Sequence, residues 1–218
     1  MPVPEALPSG TIESPRIPQA ERAYVVLARK RDNRLQFLLS RINKAETVWT
    51  FSGGGKKANE NTDMTAAREL MEETGIEVDP LKLSHVVTAP IRVNQNAPQS
   101  LHLFIAIENS ETPFPNPQVV HDEKLGFAEM AEHVWMDIPD VAEIVCSNQI
   151  LLPRYMEPAL TFILLQLEAT EFITPQEYET YANSFALKSR RGRYDSEQLT
   201  QSQNIDPQNP QDPGQYTF

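Results

Sequence analysis

Apolar positions recur along this chain with two different periods, and the change from one to the other outlines its elements. Ala23 to Ala28 and Gln36 to Arg41 are short strand-like runs, and the polar Arg31-Asp32-Asn33-Arg34 between them predicts a hairpin. Leu83 to Thr88 and Leu101 to Ile107 are further strand candidates on either side of a loop holding Asn94, Asn96 and Pro98. In the second of these, Leu101, Leu103, Ile105 and Ile107 alternate with His102, Phe104 and Ala106, the period of a pleated strand. Beyond a proline-rich loop from Thr112 to Gln118, the pattern predicts a strand over His133 to Met136 and helices over Val141 to Gln149, Arg154 to Glu168 and Pro175 to Leu187. Strands mixed with helices, without regular βαβ alternation, predict an α/β (α+β) fold in which a mixed sheet packs between helices.

The clearest helix runs from Asn61 to Gly75, with good helix formers at its centre, Asn61 or Thr62 to cap its start and Gly75 to take a left-handed turn at its end. At about 100° per residue, setting Glu69 at zero places Glu72 near −60° and Glu73 near 40°, so three carboxylates share one narrow face. Ala67, Leu70, Met71 and Thr74 fall on roughly the opposite arc, the face expected to dock on a sheet. Glu69 and Glu73 form a like-charge i,i+4 pair, and Glu72 and Glu73 sit at the negative end of the helix dipole. Each penalty is only a few tenths of a kcal/mol for exposed groups. A solvated acidic face and a divalent-cation site are both open on this helix alone, since hard carboxylate oxygens are what Mg²⁺ or Mn²⁺ select.

Composition narrows the classes. The 218 residues leave room for one sizeable domain with tails, read as residues 21 to 188. Residues 1 to 20 carry five prolines and predict an extended arm. Residues 189 to 218, rich in Gln, Asn, Asp and Pro after Arg190-Arg191-Gly192-Arg193, predict a flexible polar tail; the basic cluster is a solvated linker or an anion site. Nineteen basic against 30 acidic residues give a net charge of −11, which excludes broad binding to a nucleic-acid backbone. A small phosphorylated ligand is compatible with that charge, because a bound metal reverses the field locally. A single cysteine, Cys146, excludes an intramolecular disulfide and a Cys-rich zinc site, and its apolar neighbours read as core. The first residues lack a basic and apolar leader, and the longest apolar stretch, Ala159 to Leu165, is far short of the ~20 residues of a membrane span. No membrane partner and a cytoplasmic location are the default expectations; the oligomeric state stays open, a homodimer included.

Just before the acidic helix, Trp49-Thr50-Phe51-Ser52-Gly53-Gly54-Gly55-Lys56-Lys57 runs from strand-like residues into three glycines. These permit close approach of backbone to a metal or phosphate, or simply make a flexible turn. Lys56 and Lys57 are candidates to meet phosphate oxygens, or are solvated loop lysines. Taken together, Gly54, five residues, Glu60, seven residues, Arg68-Glu69-Leu70, one residue, Glu72-Glu73, one residue and Gly75-Ile76 resemble a complete Nudix box. Trp49 to Gly54 is similar to the Trp-x-Phe-Pro-Gly-Gly approach of MutT-type members, with Ser52 in place of the proline.

The resemblance implies a Nudix-like α/β/α sandwich with extra C-terminal helices. It implies Mg²⁺-dependent hydrolysis, with Mn²⁺ as a substitute, of a diphosphate linkage in a nucleoside diphosphate joined to another moiety. Glu69, Glu72 and Glu73 match the metal-binding glutamates, with Glu69 also a candidate to activate water, and the Gly53 carbonyl matches a backbone metal contact. Glu60 and Arg68 match the pair that braces loop and helix, a guanidinium holding carboxylates in a fixed fork. A further acid on a loop before a late strand is often used to accept a proton; Glu129 and Glu132, ahead of Trp135, are the candidates, or are solvated loop residues. His85, His102, His121 and His133 have no metal-ligand spacing and read as structural or surface residues, His121-Asp122-Glu123 lying on a loop that borders the expected pocket. Arg92-Val93-Asn94 lacks the tyrosine of dinucleoside-polyphosphate members, and Pro90 stands near the proline of ADP-sugar members. ADP-ribose, a nucleoside triphosphate and a diphosphoinositol stay open as substrates. The alternative is a catalytically silent Nudix-like module that senses a nucleotide without cleaving it; a third reading is an interaction protein with a solvated acidic helix.

Overall fold

Two consecutive left-handed residues, Asp32 at φ 51° and Asn33 at φ 59°, turn the chain between strand β1 (Ala20–Arg31) and strand β2 (Arg34–Ile42). A pair of positive φ angles matches the right-handed twist of the two strands, so the expected hairpin forms there. The structure is a computed structural model and describes residues 20–43, 47–91, 99–109, 113–122 and 127–186. The N-terminal arm up to residue 19, the polar tail with its arginine cluster, Arg92-Val93-Asn94 and Glu123 lie outside the described residues.

Strand β1 is buried on both faces, with Tyr24, Val26 and Ala28 on one and Ala23, Val25 and Leu27 on the other. It is therefore central. Strands β3 (Trp49–Thr50), β4 (Ser52–Gly55), β5 (Ser84–Ile91), β6 (Gln99–Ile107) and β9 (Met130–Asp137) complete its sheet, in the order β3-β2-β1-β6-β5, with β4 on β1 and β9 on β2. Among the described strand pairs of this sheet, β1 and β6 run parallel and the others antiparallel. Strands β7 (His121–Asp122) and β8 (Phe127–Ala128) form a separate two-stranded ladder. The β1–β2 pairing stops after Ala28↔Phe37, and the chain from residue 49 to 55 fills the gap beyond it: Thr50 pairs with Ser40 on β2, and Ser52 with Val25 on β1. This fork in the sheet carries the glycine-rich segment.

One face of the sheet is covered by helix α1 (Thr62–Thr74), through Ala66 and Leu70, with Ile76 just beyond it, against Ala23, Val25, Leu27, Leu38, Phe104 and Ala106. The other face takes α2 (Ile138–Cys146), α3 (Pro153–Ala169) and α4 (175–186), which bury Val141, Ile163, Leu164, Leu167 and Phe185 against Phe37, Leu39, Leu103 and Ile105. The result is an α/β/α sandwich around a mixed sheet with additional C-terminal helices. Boundaries move by a few residues. Helix α2 starts three residues before the expected Val141, with Pro139 in its first turn, and Asn148 at φ 57° closes the segment beyond it. Strand β5 continues through Pro90, which an edge strand tolerates.

One expectation is corrected. Met71, placed on the docking arc of α1, is 47% exposed. The buried residues of the helix are Thr65, Ala66, Ala67, Leu70, Glu73 and Thr74, so the helix is rolled toward its acidic face, taking Glu73 in and leaving Met71 outside. Among the described residues, no helix is long and apolar enough to cross a membrane.

Candidate active site

The site is built where β4 lies under α1. Alternate strand residues on one face are about 6.6 Å apart, and helix residues one turn apart are separated by about 6 Å along the axis, so a strand pair and an i,i+4 pair stay in register. Here Gly54 underlies Glu69: a Cβ on Gly54 would stand 2.5 Å from Glu69 Oε1 and 2.8 Å from Oε2. Two residues back, the Ser52 hydroxyl and the Gly53 backbone face the Glu73 carboxylate. Gly53 has no room of its own, since a Cβ there would meet the Ala23 carbonyl oxygen at 2.4 Å. The three glycines lie in a strand and take no left-handed turn. They permit close approach, but the groups that approach are Tyr24 and the Glu69 carboxylate. Gly75 does take the expected left-handed cap, at φ 71°.

Arg68 ties the loop to the helix. Its Nε and Nη2 donate to the two Glu60 oxygens at 2.6 and 3.1 Å, and Nη2 also donates to the Gly55 carbonyl at 3.1 Å. Glu60 further accepts from the Thr65 hydroxyl at 3.0 Å and the Lys57 amide at 3.2 Å. The Arg68 guanidinium holds the Glu60 carboxyl down at about 2. On its other side, Arg68 Nη1 lies 2.8 Å from Glu69 Oε1 and 2.8 Å from Glu72 Oε2. Lys57 Nζ pairs with the other Glu72 oxygen at 3.3 Å.

Lys57, Arg68, Glu69, Glu72, Glu73, Val120, Glu129 and Met130 line a cleft of about 250 Å³. The structure thus brings Glu129 beside the helical acids. Glu132 is directed elsewhere, paired with Arg41 at 2.5 Å across β2 and β9. Lys56 likewise turns from the cleft to pair with Glu21. Burial pushes the Glu73 carboxyl up to about 8; the Ser52 hydroxyl works against that shift, and the charges of Glu69 and Glu129 add to it. Burial also raises Glu69, with Arg68 opposing.

As the side chains lie, no three described His, Cys, Asp or Glu groups stand close enough together to enclose an ion. Glu69 and Glu72 are instead engaged by Arg68 and Lys57. The donor set nevertheless suits a hard divalent cation. Glu73 Oε2 is buried and lacks a hydrogen-bond partner, an arrangement that costs free energy unless a positive group completes it.

Two residues had no sequence signal for their place near this site. Ser52 reads only as a replaced proline. Burial and the neighbouring charges of Glu73 and Glu69 raise the Tyr24 phenol, whose oxygen accepts from Arg22 at 3.2 Å. Three of the four histidines make side-chain contacts within the sheet: His133 Nδ1 bonds the Ser40 hydroxyl at 2.7 Å, and His85 and His102 share the Thr88 hydroxyl at 2.9 and 3.0 Å, while His121 is exposed on β7.

A family model described as the NUDIX domain matches residues 19–154. No curated relative matches the chain. Among solved structures, the Ap4A hydrolase of C. elegans, as a binary complex, is 22% identical over 57% of this chain and 85% of its own, with a TM-score of 0.46. The NUDIX domain of NrtR from Shewanella oneidensis, complexed with ADP ribose, is 20% identical over 56% and 75%, at 0.43. The ORF135 protein of E. coli is 20% identical over 70% and 94%, at 0.47. The match to the NUDIX model covers more than half of the chain and takes in the whole stretch from the β4 glycines to Ile76, so the chain belongs to the Nudix family and is a Nudix-type pyrophosphohydrolase.

Proposed function

We propose that this chain hydrolyses the diphosphate linkage of a nucleoside diphosphate joined to another moiety, in a Mg²⁺-dependent reaction in which water attacks phosphorus. The single observation that carries the metal dependence is the Glu73 carboxylate, buried with Oε2 unpartnered beside a cleft that Glu69, Glu72 and Glu129 share. Glu69, Glu72, Glu73 and the Gly53 carbonyl are the groups to hold the ion. When bound, a divalent cation supplies Lewis-acid polarisation of phosphate oxygens and a lowered pKa for water.

The chain's own residues do the rest. Arg68, fixed by Glu60 and the Gly55 carbonyl, orients Glu69 and Glu72 toward the cleft. Lys57, on the rim, meets a phosphate oxygen when it leaves Glu72. Glu129, exposed on the loop before β9 and lining the cleft, is one candidate to accept the proton of water, and Glu69 is the other. ADP-ribose and nucleoside triphosphates are the substrates to try first.

Glu73→Gln tests this reading. Burial already holds this carboxyl toward its neutral form, and the amide keeps its shape, so the protein stays folded, while Mg²⁺-dependent turnover falls by at least about 100-fold. Turnover equal to wild type would remove the metal-site assignment. A panel of ADP-ribose, nucleotide sugars, nucleoside triphosphates, dinucleoside polyphosphates and diphosphoinositols identifies the substrate; tight nucleotide binding without product would favour a silent sensor instead.

A further inference from the structure

The position where MutT-type members carry proline holds a buried serine here, 3% exposed, and the register of β4 against α1 decides what that side chain meets. Ser52 pairs with Val25 and Gly54 with Ala23, and both Val25 and Ala23 belong to the face that α1 covers. Ser52 and Gly54 therefore share that face, and with Gly54 beneath Glu69, Ser52 falls beneath Glu73 one turn on. Its hydroxyl faces the Glu73 carboxylate, and one oxygen of that group, Oε2, is buried without a hydrogen-bond partner. A proline at this position would have no hydroxyl to offer.

We infer that Ser52 is a positioning residue: its hydroxyl anchors one side of the Glu73 carboxylate on β4 and leaves Oε2 free to take a divalent cation. This inference rests on the metal site proposed above. An anchored ligand loses less rotational freedom on binding an ion than a free one, and removing a partner of a metal ligand characteristically weakens the ion by 10- to 100-fold. Ser52 thus tunes how much cation the enzyme needs, without touching the substrate.

The test is Mn²⁺ titration of the full-length protein, followed by electron paramagnetic resonance, for wild type, Ser52→Ala and Ser52→Thr, with melting curves for each in the absence of metal. The expected result is affinity weakened by about 10-fold or more in Ser52→Ala, with a melting temperature only slightly lowered by the lost contact, and near-wild-type affinity in Ser52→Thr, which keeps the hydroxyl. With a cleavable substrate, Ser52→Ala is also expected to regain its kcat at saturating Mg²⁺, showing a shifted ion requirement in place of a damaged site. Wild-type affinity in Ser52→Ala overturns the inference. So does a loss of affinity that tracks a fall in melting temperature and that Ser52→Thr does not rescue, since the serine is then packing alone. Wild-type protein that binds no Mn²⁺ overturns the metal site itself, an outcome distinct from a failure of Ser52.

Discussion

At the scale of single residues, the three consecutive glycines are chemically identical and have different duties. A methyl group at Gly53 would press on backbone, the Ala23 carbonyl at 2.4 Å and the Tyr24 Cα at 2.6 Å, which gives only if β4 leaves β1. At Gly54 it would press on the free end of Glu69, which can swing away; at Gly55 nothing lies within 4 Å. Gly53→Ala is accordingly expected to lose about 2–3 kcal/mol of stability in urea denaturation, the upper part of the roughly 1–3 kcal/mol that forced overpacking costs. Gly54→Ala is expected to melt close to wild type yet lose turnover about 10-fold or more, through displaced Glu69, and Gly55→Ala to stay within ±0.5 kcal/mol with full activity, as roughly expected of an open surface site. Equal behaviour of all three in melting and turnover assays would contradict this division. The spacing of Gly54, Glu69, Glu72 and Glu73 was legible from the residues alone, because a helix converts sequence interval into angle. The partner of Ser52 was not, since it depends on the register between a strand and a helix that no local pattern encodes.

Among the elements, α1 was legible from its composition and its Gly75 cap, while its roll was not; Asn61 stands at the N-cap but its side chain makes no cap hydrogen bond. The apolar arc alone would turn Met71 inward, but the β4 glycines let the helix sit low over the strand and draw Glu73 beneath the surface. Strand β4 itself gave no signal: Ser-Gly-Gly-Gly has poor strand propensity and is held extended by pairing with β1. What fixes the helix to the loop ahead of it is the Glu60–Arg68 fork, and the proton linkage of Glu60 makes that testable. Its carboxyl is held at about 2 in the folded protein against an ordinary 4.5, so the folded state favours the ionised form. The stability this contributes is present above pH 4.5 and is lost as the pH falls toward about 2. Glu60→Gln is therefore expected to be clearly less stable than wild type at pH 7 in urea denaturation, with the gap closing as both are acidified through that window. A gap independent of pH would mean that the fork contributes through shape and not charge.

For the whole molecule, the three-layer arrangement followed from alternating strands and the later amphipathic helices, while the forked sheet did not, because β3 and β4 together span only a few residues. The family match ends at residue 154, yet the packing continues beyond it. Phe185 of α4 is 5% exposed in the same cluster as Leu35, Phe37, Leu164 and Leu167. Around it, Tyr181 accepts from the Leu35 amide at 3.3 Å and Glu177 pairs with Lys30 at 2.8 Å, so α4 is fastened to the β1–β2 hairpin. The cleft lies on the opposite face, with α1, and no residue of α4 lines it. Stability and activity should therefore separate. Phe185→Ala is expected to cost about 3–5 kcal/mol in urea denaturation, as buried Phe to Ala changes do, whereas Phe162→Ala on α3, at a side chain 52% exposed, should cost little. Turnover per folded molecule should match wild type in both, because a cavity opened behind the sheet leaves the β4–α1 register intact. Stability unchanged in Phe185→Ala would make α4 an ornament outside the core, and lost turnover at full folding would mean that the sheet transmits packing from one face to the other.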